Sequence, residues 1–588
     1  MINQKSIAVL PFVNMSSDID NEYFCDGVSE EIINALTKIK GLKVTARTSS
    51  FTFKNKNIDV RHIGNQLGVT TVLEGSIRKA NNRVRITAQL IDTRDGTHYW
   101  SKNFDRELID IFKLQDEISL LIASEIRSNF GHFEIQDHLV KESTISIQAY
   151  ELFLKGRYNQ LKWTPESMHL AIQYYDKAVA IDKNYAKAYY ANLQCYGLLS
   201  AWGYMTSKEA IEMAINNFLK AKEIDTQMPE YPLSFVGKTF WGEWDFKAAY
   251  EYIKQALAIN PNHIDGLEAM AELFIANGFF KQALVYANKL LELDPLSANN
   301  HYTLAHIYYY QEKYELALKS IRKAISIRPD LELANHFYVL CLIGLKDKVL
   351  FEEVVENQKL CKFQRILYKV VNEDFEITEN QIKSLDEIEK ESTQLLPYQL
   401  YILANSGHKK EAFALLKKYI EQRRGQIINF RQEPLLKELH CFSEFNSLHQ
   451  SNLFITDLKT QVRAQTDSKV LLNKEEQAVF KEKLLKYFKE DKPYLDSQLS
   501  LNSVAKHLEI HSNKLSYLIN EIMEVNFNEF INQYRLKHFK MIALNPEFKK
   551  ITILGLAYDS GFNSKTVFNT FFKKEIGITP RQWVKSQN

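Results

Sequence analysis

Cysteine is scarce in this chain: five occur in 588 residues, Cys25, Cys195, Cys341, Cys361 and Cys441, and none sits in a CxxC spacing. That pattern excludes a disulfide framework and a zinc ribbon, and fits reduced thiols in a cytoplasmic protein. Long apolar runs are missing too. The longest, Phe337 to Leu345, is about half of what a helix needs to cross a bilayer, so no membrane insertion is expected. The run from Ser6 to Phe12 is too short for a signal peptide and has no cleavage site. Charge of one sign is lacking overall, since 74 Lys and Arg face 72 Asp and Glu. No HExxH motif occurs, and His301 and His306 stand five apart without a matching carboxylate set, so they read as core or part-exposed histidines rather than metal ligands. Val236-Gly237-Lys238-Thr239 imitates the tail of a phosphate-binding loop, but Pro232 replaces the earlier glycine. The expectation is a non-enzyme with no catalytic, cofactor-binding or metal residues.

What the chain does have is length for several cores, with 45% apolar and 25% charged residues. Three segments differ in period. The first alternates: strands at SIAVLPFVN and LKVTA, helices at EYFCDGVSEEIINALTKI and VRHIGNQLG, then a hairpin, TVLEGSIRKA and RVRITAQLID, around Asn81-Asn82. A helix follows from Ile109 to about Phe130. This is an α/β (α+β) unit, residues 1–135. Of its carboxylates Asp26, Glu30, Glu31, Asp92, Asp95 and Asp105, most read as helix-start and turn residues. Arg47-Thr48-Ser49-Ser50 reads as a turn with some capacity for an anion, and His98-Tyr99-Trp100 as an aromatic strand. The phrases IAVLPF-x-N-x-S, YFCDGVSEEI, ARTSSF and LGV-x-x-VLEGSIR resemble the TolB-like amino-terminal domain.

From about Ser146 the period becomes helical. Pro261, Pro295 and Pro329 lie 34 residues apart, each closing a helix that ends in Asn-Pro, Asp-Pro or Arg-Pro. Small residues recur at Gly237, Ala249, Ala256, Ala271, Ala283, Ala305, Ala317 and Ala324. This is the tetratricopeptide signature, in which small side chains let paired helices approach. It spans 146–345, with an insertion around Trp202 to Thr206. Degenerate repeats and a solenoid cap, RQEPLLKELHCFSEFNSL, occupy 346–450. Such an array suits a protein or peptide partner, or a second protomer of this chain. Residues 451–474, interrupted by charges, read as a linker.

The third segment, 475–588, holds two helix-turn-helix patterns joined by a helix at FNEFINQYRLKHFKMIAL. On a helix from Asn513 to Ile522, Asn513, Ser516, Tyr517 and Asn520 share one face, while Leu515, Leu518, Ile519 and Ile522 fill the other. On a second, Ser564 to Glu575, Lys565, Thr566, Asn569, Thr570 and Lys573 face outward, with Val567, Phe568, Phe571 and Phe572 turned inward. Ser512 and either Asn563 or Ser564 stand near the helix starts as caps, and Gly561 occupies the second turn. From Leu501 onward twelve Lys or Arg face seven Asp or Glu, an excess of five.

The runs A-x-x-x-G-F-x-S (Ala557–Ser564), F-x-x-x-F-K-K-x-x-G-x-T-P-x-x-W (Phe568–Trp583) and F-x-x-F-I-N-x-Y-R (Phe527–Arg535) resemble the DNA-binding domain of AraC/XylS-type transcriptional regulators. That resemblance implies an all-α tandem helix-turn-helix domain contacting double-stranded DNA, with Asn513, Ser516 and Tyr517 on one base-facing helix and Lys565, Thr566, Asn569 and Thr570 on the other. Tyr517 stands where the family often carries Arg. The whole reads as a multidomain transcription regulator; a repeat scaffold with secondary DNA contact is the alternative.

Overall fold

The computed structural model describes the chain apart from residues 1–4, 163, 202, 203, 206, 357–360, 374, 379, 380, 382–395, 449–470, 549 and 588. Most of the expected linker, and most of the insertion around residues 202–206, therefore lie outside the described residues.

The amino-terminal unit is a mixed sheet in the order β3-β1-β4-β5-β6. Strand β1 (Ser6–Val9) runs parallel to β3 (Lys43–Val44) and to β4 (Thr71–Ala80). A two-residue strand, β2 (Val13–Asn14), continues the pairing along β4. The hairpin β4–β5 (Arg83–Asp92) turns at Asn81, whose φ of +51° suits the tight turn expected there. Strand β6 (His98–Glu107) completes the antiparallel half. Because side chains alternate along β1, Ile7 and Val9 enter the larger core while Ala8 and Leu10 enter a smaller one with Ile63, Leu67 and Val72. The larger core lies under helices α1 (Glu22–Thr37) and α4 (Ile111–Phe130), with the shorter α2 (Arg47–Phe51) and α3 (Val60–Leu67) between them in the chain.

That core does not stop at the sheet. It continues through Tyr150, Phe153, Leu154, Tyr175 and Tyr185 to Leu199 in the first helical repeats. Gly27 permits the approach: a Cβ there would lie 2.5 Å from Leu154 Cδ2. Beside this contact Arg157 donates to Glu30 at 3.0 and 2.9 Å, and Arg47 lies 3.3 Å from the same carboxylate. Burial opposes ionisation of Glu30, but the two guanidiniums outweigh it and hold the pKa below the usual value. Asp26 and Glu30 thus sit mid-helix as buried ion-pair partners, and Asp92 and Asp105 lie in strands paired with Arg94 and with Arg83 and Arg85. Ion pairing, rather than capping, accounts for Asp26, Glu30 and Asp105; Asp92 is also a turn residue as expected, its Oδ1 accepting from Arg94 N–H at 2.9 Å.

The repeats follow as helix pairs: after the helix Phe246–Ile259 come Ile264–Ala276 with Phe280–Leu293 and Ala298–Tyr310 with Tyr314–Ile327. Ala249, Ala256, Ala271, Ala283, Ala305, Ala317 and Ala324 are all buried, as their spacing requires. Gly237 is different. It opens a π-helical turn, Gly237–Gly242, and an added Cβ would meet nothing within 4 Å, so it is not a packing residue. His306 stacks among Tyr302, Tyr310 and Phe337 in the core, and His301 Nε2 lies 3.0 Å from the Pro295 carbonyl oxygen. The far end is closed by Glu433, which accepts hydrogen bonds from Tyr309 (2.6 Å) and Tyr401 (3.2 Å), ahead of the 3-10 helix Pro434–Cys441.

The repeat ends also grip the amino-terminal unit. Asp294, from the Asp-Pro turn, accepts from the Ser49 backbone N–H at 2.9 Å and from the Ser49 hydroxyl; Ala46 N–H donates to Leu293 O at 2.7 Å. Residues Arg47–Phe51 form a short helix whose start does hold an anion, the carboxylate of Asp294. Asn260 and Asn262, from the preceding repeat, donate to Thr37. Among the described residues no helix is long and apolar enough to cross a membrane.

Candidate nucleic-acid interface

The carboxy-terminal unit is built on one long helix, Phe527–Ala543, which supplies two separate cores. Its first half packs Phe527, Phe530 and Ile531 with Leu484, Phe488, Val504, Leu515 and Leu518. Its second half packs Leu536, Phe539 and Ile542 with Ala557, Phe562, Phe568, Phe572 and Trp583. One helix-turn-helix therefore sits at each end. Arg535 ties the halves together, its guanidinium donating to the carbonyls of Tyr494 and Asp496 at 2.8 Å each. Burial lowers its pKa to about 10.

At the second head, the supporting helix Ile553–Asp559 starts at Thr552, whose side chain accepts from Gly555 N–H. The chain turns at Gly561 with φ +90°, and Ser564 caps the next helix, Lys565–Ile576, by accepting from Val567 N–H. Lys565, Thr566, Asn569, Thr570 and Lys573 are all exposed, on the side away from Phe568, Phe571 and Phe572. Val567, expected to point inward, is 41% exposed: it sits one residue before the apolar stripe and extends the outer face. Lys565 and Lys573 ion-pair with no described residue, while Lys574 is engaged with Glu529 at 2.8 Å.

At the first head, the supporting helix Leu501–His507 is capped by Ser500, and the next, Ser512–Tyr517, by His511 rather than Ser512. That helix runs on as a π-helical turn, Leu518–Ile522. Here the outward face is not free. Asn513 Oδ1 accepts from Arg127 Nη1 (2.5 Å) and from Ile135 N–H (3.1 Å), and Asn513 Nδ2 donates to Ile135 O (3.1 Å). Tyr517 meets the His132 ring edge-on at 5.8 Å. Ser516 is buried, and Asn520, beside Gly131, turns its amide back onto Ser516. Asn528 donates to Asn129 at 2.8 Å, and His511 lies 3.6 Å from Asp137. The end of α4 and the segment after it cover this head.

Nothing in the sequence distinguishes Arg127, Asn129, His132 or Ile135 as partners of residues nearly four hundred positions away. Arg127 reads as a basic residue in the last turn of a helix, a common solvated position. In the structure it is 1% exposed, and burial alone lowers its pKa to about 10. Burial likewise pushes His132 down to about 4, with Arg127 and Lys5 adding to the effect, so the ring is neutral.

Residues 504–586 match the helix-turn-helix domain family. The carboxy-terminal unit is an AraC-type helix-turn-helix domain. Residues 3–121 match the second domain of HilA/YgeH-like transcriptional regulators, and residues 298–331 match a tetratricopeptide repeat. The TolB-like resemblance of the first unit is not confirmed; the HilA/YgeH-like match stands in its place. Among curated relatives, the chain is 41% identical over 184 residues to a Rhizobium meliloti (strain 1021) protein named adenylate cyclase 3, covering 31% of each chain. It is 30% identical over 90 residues to the melibiose operon regulatory protein of Escherichia coli (strain K12), covering 15% of this chain and 29% of that one. It is 26% identical over 175 residues to the transcriptional regulator HilA of Salmonella typhimurium, covering 30% and 31%. The chain thus spans less than a third of the length of each of these relatives.

Proposed function

We propose that this chain regulates transcription by binding double-stranded DNA through its carboxy-terminal unit. Asn513, Ser516, Tyr517 and Asn520 would read one short box, and Lys565, Thr566, Asn569, Thr570 and Lys573 another. The observation that carries this reading is the second head, where five hydrogen-bonding or cationic side chains stand exposed together on a capped helix with a packed rear face. Asn569 has the paired donor and acceptor that suit the major-groove edge of adenine, and the lysines suit guanine or phosphate. The amino-terminal unit and the repeats serve control and partner binding, with a protein, a peptide or a second protomer on the array. The chain acts by binding, in the cytoplasm. The overlap with the protein named adenylate cyclase 3 covers 31% of that protein, too little to bring an activity with it.

The test is selection from randomised duplexes with residues 471–588, which contain both cores of the unit. Two short preferred boxes and an affinity falling steeply with salt are expected. Equal affinity for every sequence would refute direct readout.

A further inference from the structure

We infer that the chain holds its own first reading head shut: the end of α4 and residues 131–135 occupy the base-contacting face of Ser512–Tyr517, so the two-box site binds only when this contact opens. The inference rests on the DNA-binding reading above and goes beyond it by assigning a closed state and its latch.

The chemistry of the contact supports this. The side-chain amide of Asn513 pairs at once with the N–H and the C=O of Ile135. That is the same donor and acceptor pair an asparagine uses on N7 and N6 of adenine. Residue 135 thus stands in for a base edge, and Asn513 cannot serve both. Tyr517, on the same face, lies against His132, and Asn528, at the start of the joining helix, is engaged by Asn129. All of these covering groups come from one short stretch, Arg127 to Ile135.

The contact is also built to open. The apolar cores on its two sides share no residue, so separation uncovers polar groups and ring edges rather than a continuous core. Arg127 has no carboxylate partner among the described residues, and its Nε and His132 Nδ1 are buried without a hydrogen bond. Opening returns these groups to water, which offsets part of the cost of losing the contact. Among the described residues the second head carries no such cover, so the closed chain keeps one head presented.

The experiment compares three materials on a two-box duplex selected with residues 471–588: that unit alone, the full chain, and the full chain carrying Arg127→Ala. A closed state populated in large excess lowers apparent affinity by the open fraction. The full chain should bind at least about tenfold more weakly than the unit, with protection confined to the box read by Lys565–Ile576, and Arg127→Ala should recover most of the loss. Equal affinity and equal footprints for the unit and the full chain would overturn the inference. If Arg127→Ala disturbs folding by circular dichroism, a second measurement decides. Residues 1–448, whose cores contain no carboxy-terminal residue, are titrated against residues 471–588 labelled near Tyr517. Binding that a two-box duplex displaces supports the contact; no binding at high concentration counts against it. A unit that selects no DNA sequence at all refutes the proposed function instead, and the two-fragment titration still judges the contact.

Discussion

Replacing Gly561 by Ala tests how the second reading head is fixed to the rest of its domain. Gly561 lies between the supporting helix and Ser564, with φ +90°. Two separate costs arise. A side chain in the left-handed region costs about 1–2 kcal/mol. The Cβ would also sit 2.1 Å from Tyr494 O, 3.0 Å from Leu495 Cα and 3.0 Å from Arg535 Nε. Backbone cannot yield there as a flexible side chain tip could, so the loop at 494–496 must move. That loop accepts both hydrogen bonds from the buried Arg535, and each bond to a charged group is worth about 1.5–3 kcal/mol. Losing one of them as well brings the total to roughly 3–5 kcal/mol, a large share of the roughly 5–15 kcal/mol that holds a domain folded. Gly577→Ala is the control: its φ of +82° carries the same conformational cost, but nothing lies within 4 Å of the added Cβ, so about 1–2 kcal/mol is expected. Urea unfolding of residues 471–588, followed by circular dichroism, reads both. If the two variants lose equal stability, the close approach of this turn to Tyr494 is not what fixes the head.

Lys565→Ala and Asn569→Ala should each weaken specific DNA binding by roughly 1–3 kcal/mol and leave the melting temperature of the unit unchanged, because both side chains are exposed; binding and melting assays run in parallel separate these effects. Tyr309→Phe should cost about 1–3 kcal/mol in chemical unfolding of the repeat array, since it removes a donor from the buried Glu433 carboxylate. Burial raises the pKa of Asp294 to about 6, against the hydrogen bonds from Ser49 and Thr48. The folded state therefore holds this proton more tightly than the unfolded chain, and Asp294's contribution to stability is fully present below about pH 4 and lost as pH rises through about 6. Asp294→Asn should remove that part of the slope in a melting series across this range, and an unchanged slope would show that the group does not titrate there.

Much of the architecture is legible because it is periodic. Alternation along Ser6–Val9 gives a strand buried on both faces, the 34-residue spacing of Pro261, Pro295 and Pro329 gives the repeats, and Gly561 with Ser564 gives the second turn and cap. The misread positions lie where that local logic is overridden. Gly237 looks like a packing glycine by register, but a π-helical turn shifts the register and leaves it outside. Asp26 and Glu30 look like helix-start residues, yet their partners Arg47, Lys54 and Arg157 come from other elements, and that long-range pairing leaves no periodic trace. Asp294 reads as the residue before a helix-breaking proline; in the fold it also holds the start of a helix from the amino-terminal unit.

Arg127 shows why the covered first head in particular leaves no mark in the sequence. A basic residue near the carboxyl end of a helix complements the helix dipole, and that local role is satisfied by Arg127 whether or not anything covers it. Covering adds a second condition: the guanidinium leaves water and receives one amide oxygen from Asn513 in return. Without a carboxylate, that exchange runs against the cost of desolvating a charge, which is several kcal/mol after relaxation. A contact selected only for stability would pair Arg127 with an acid or replace it by an apolar residue. Keeping a cation that has no carboxylate partner among the described residues against the side chain proposed to read a base limits the depth of the closed state, so that DNA can compete with this contact for Asn513.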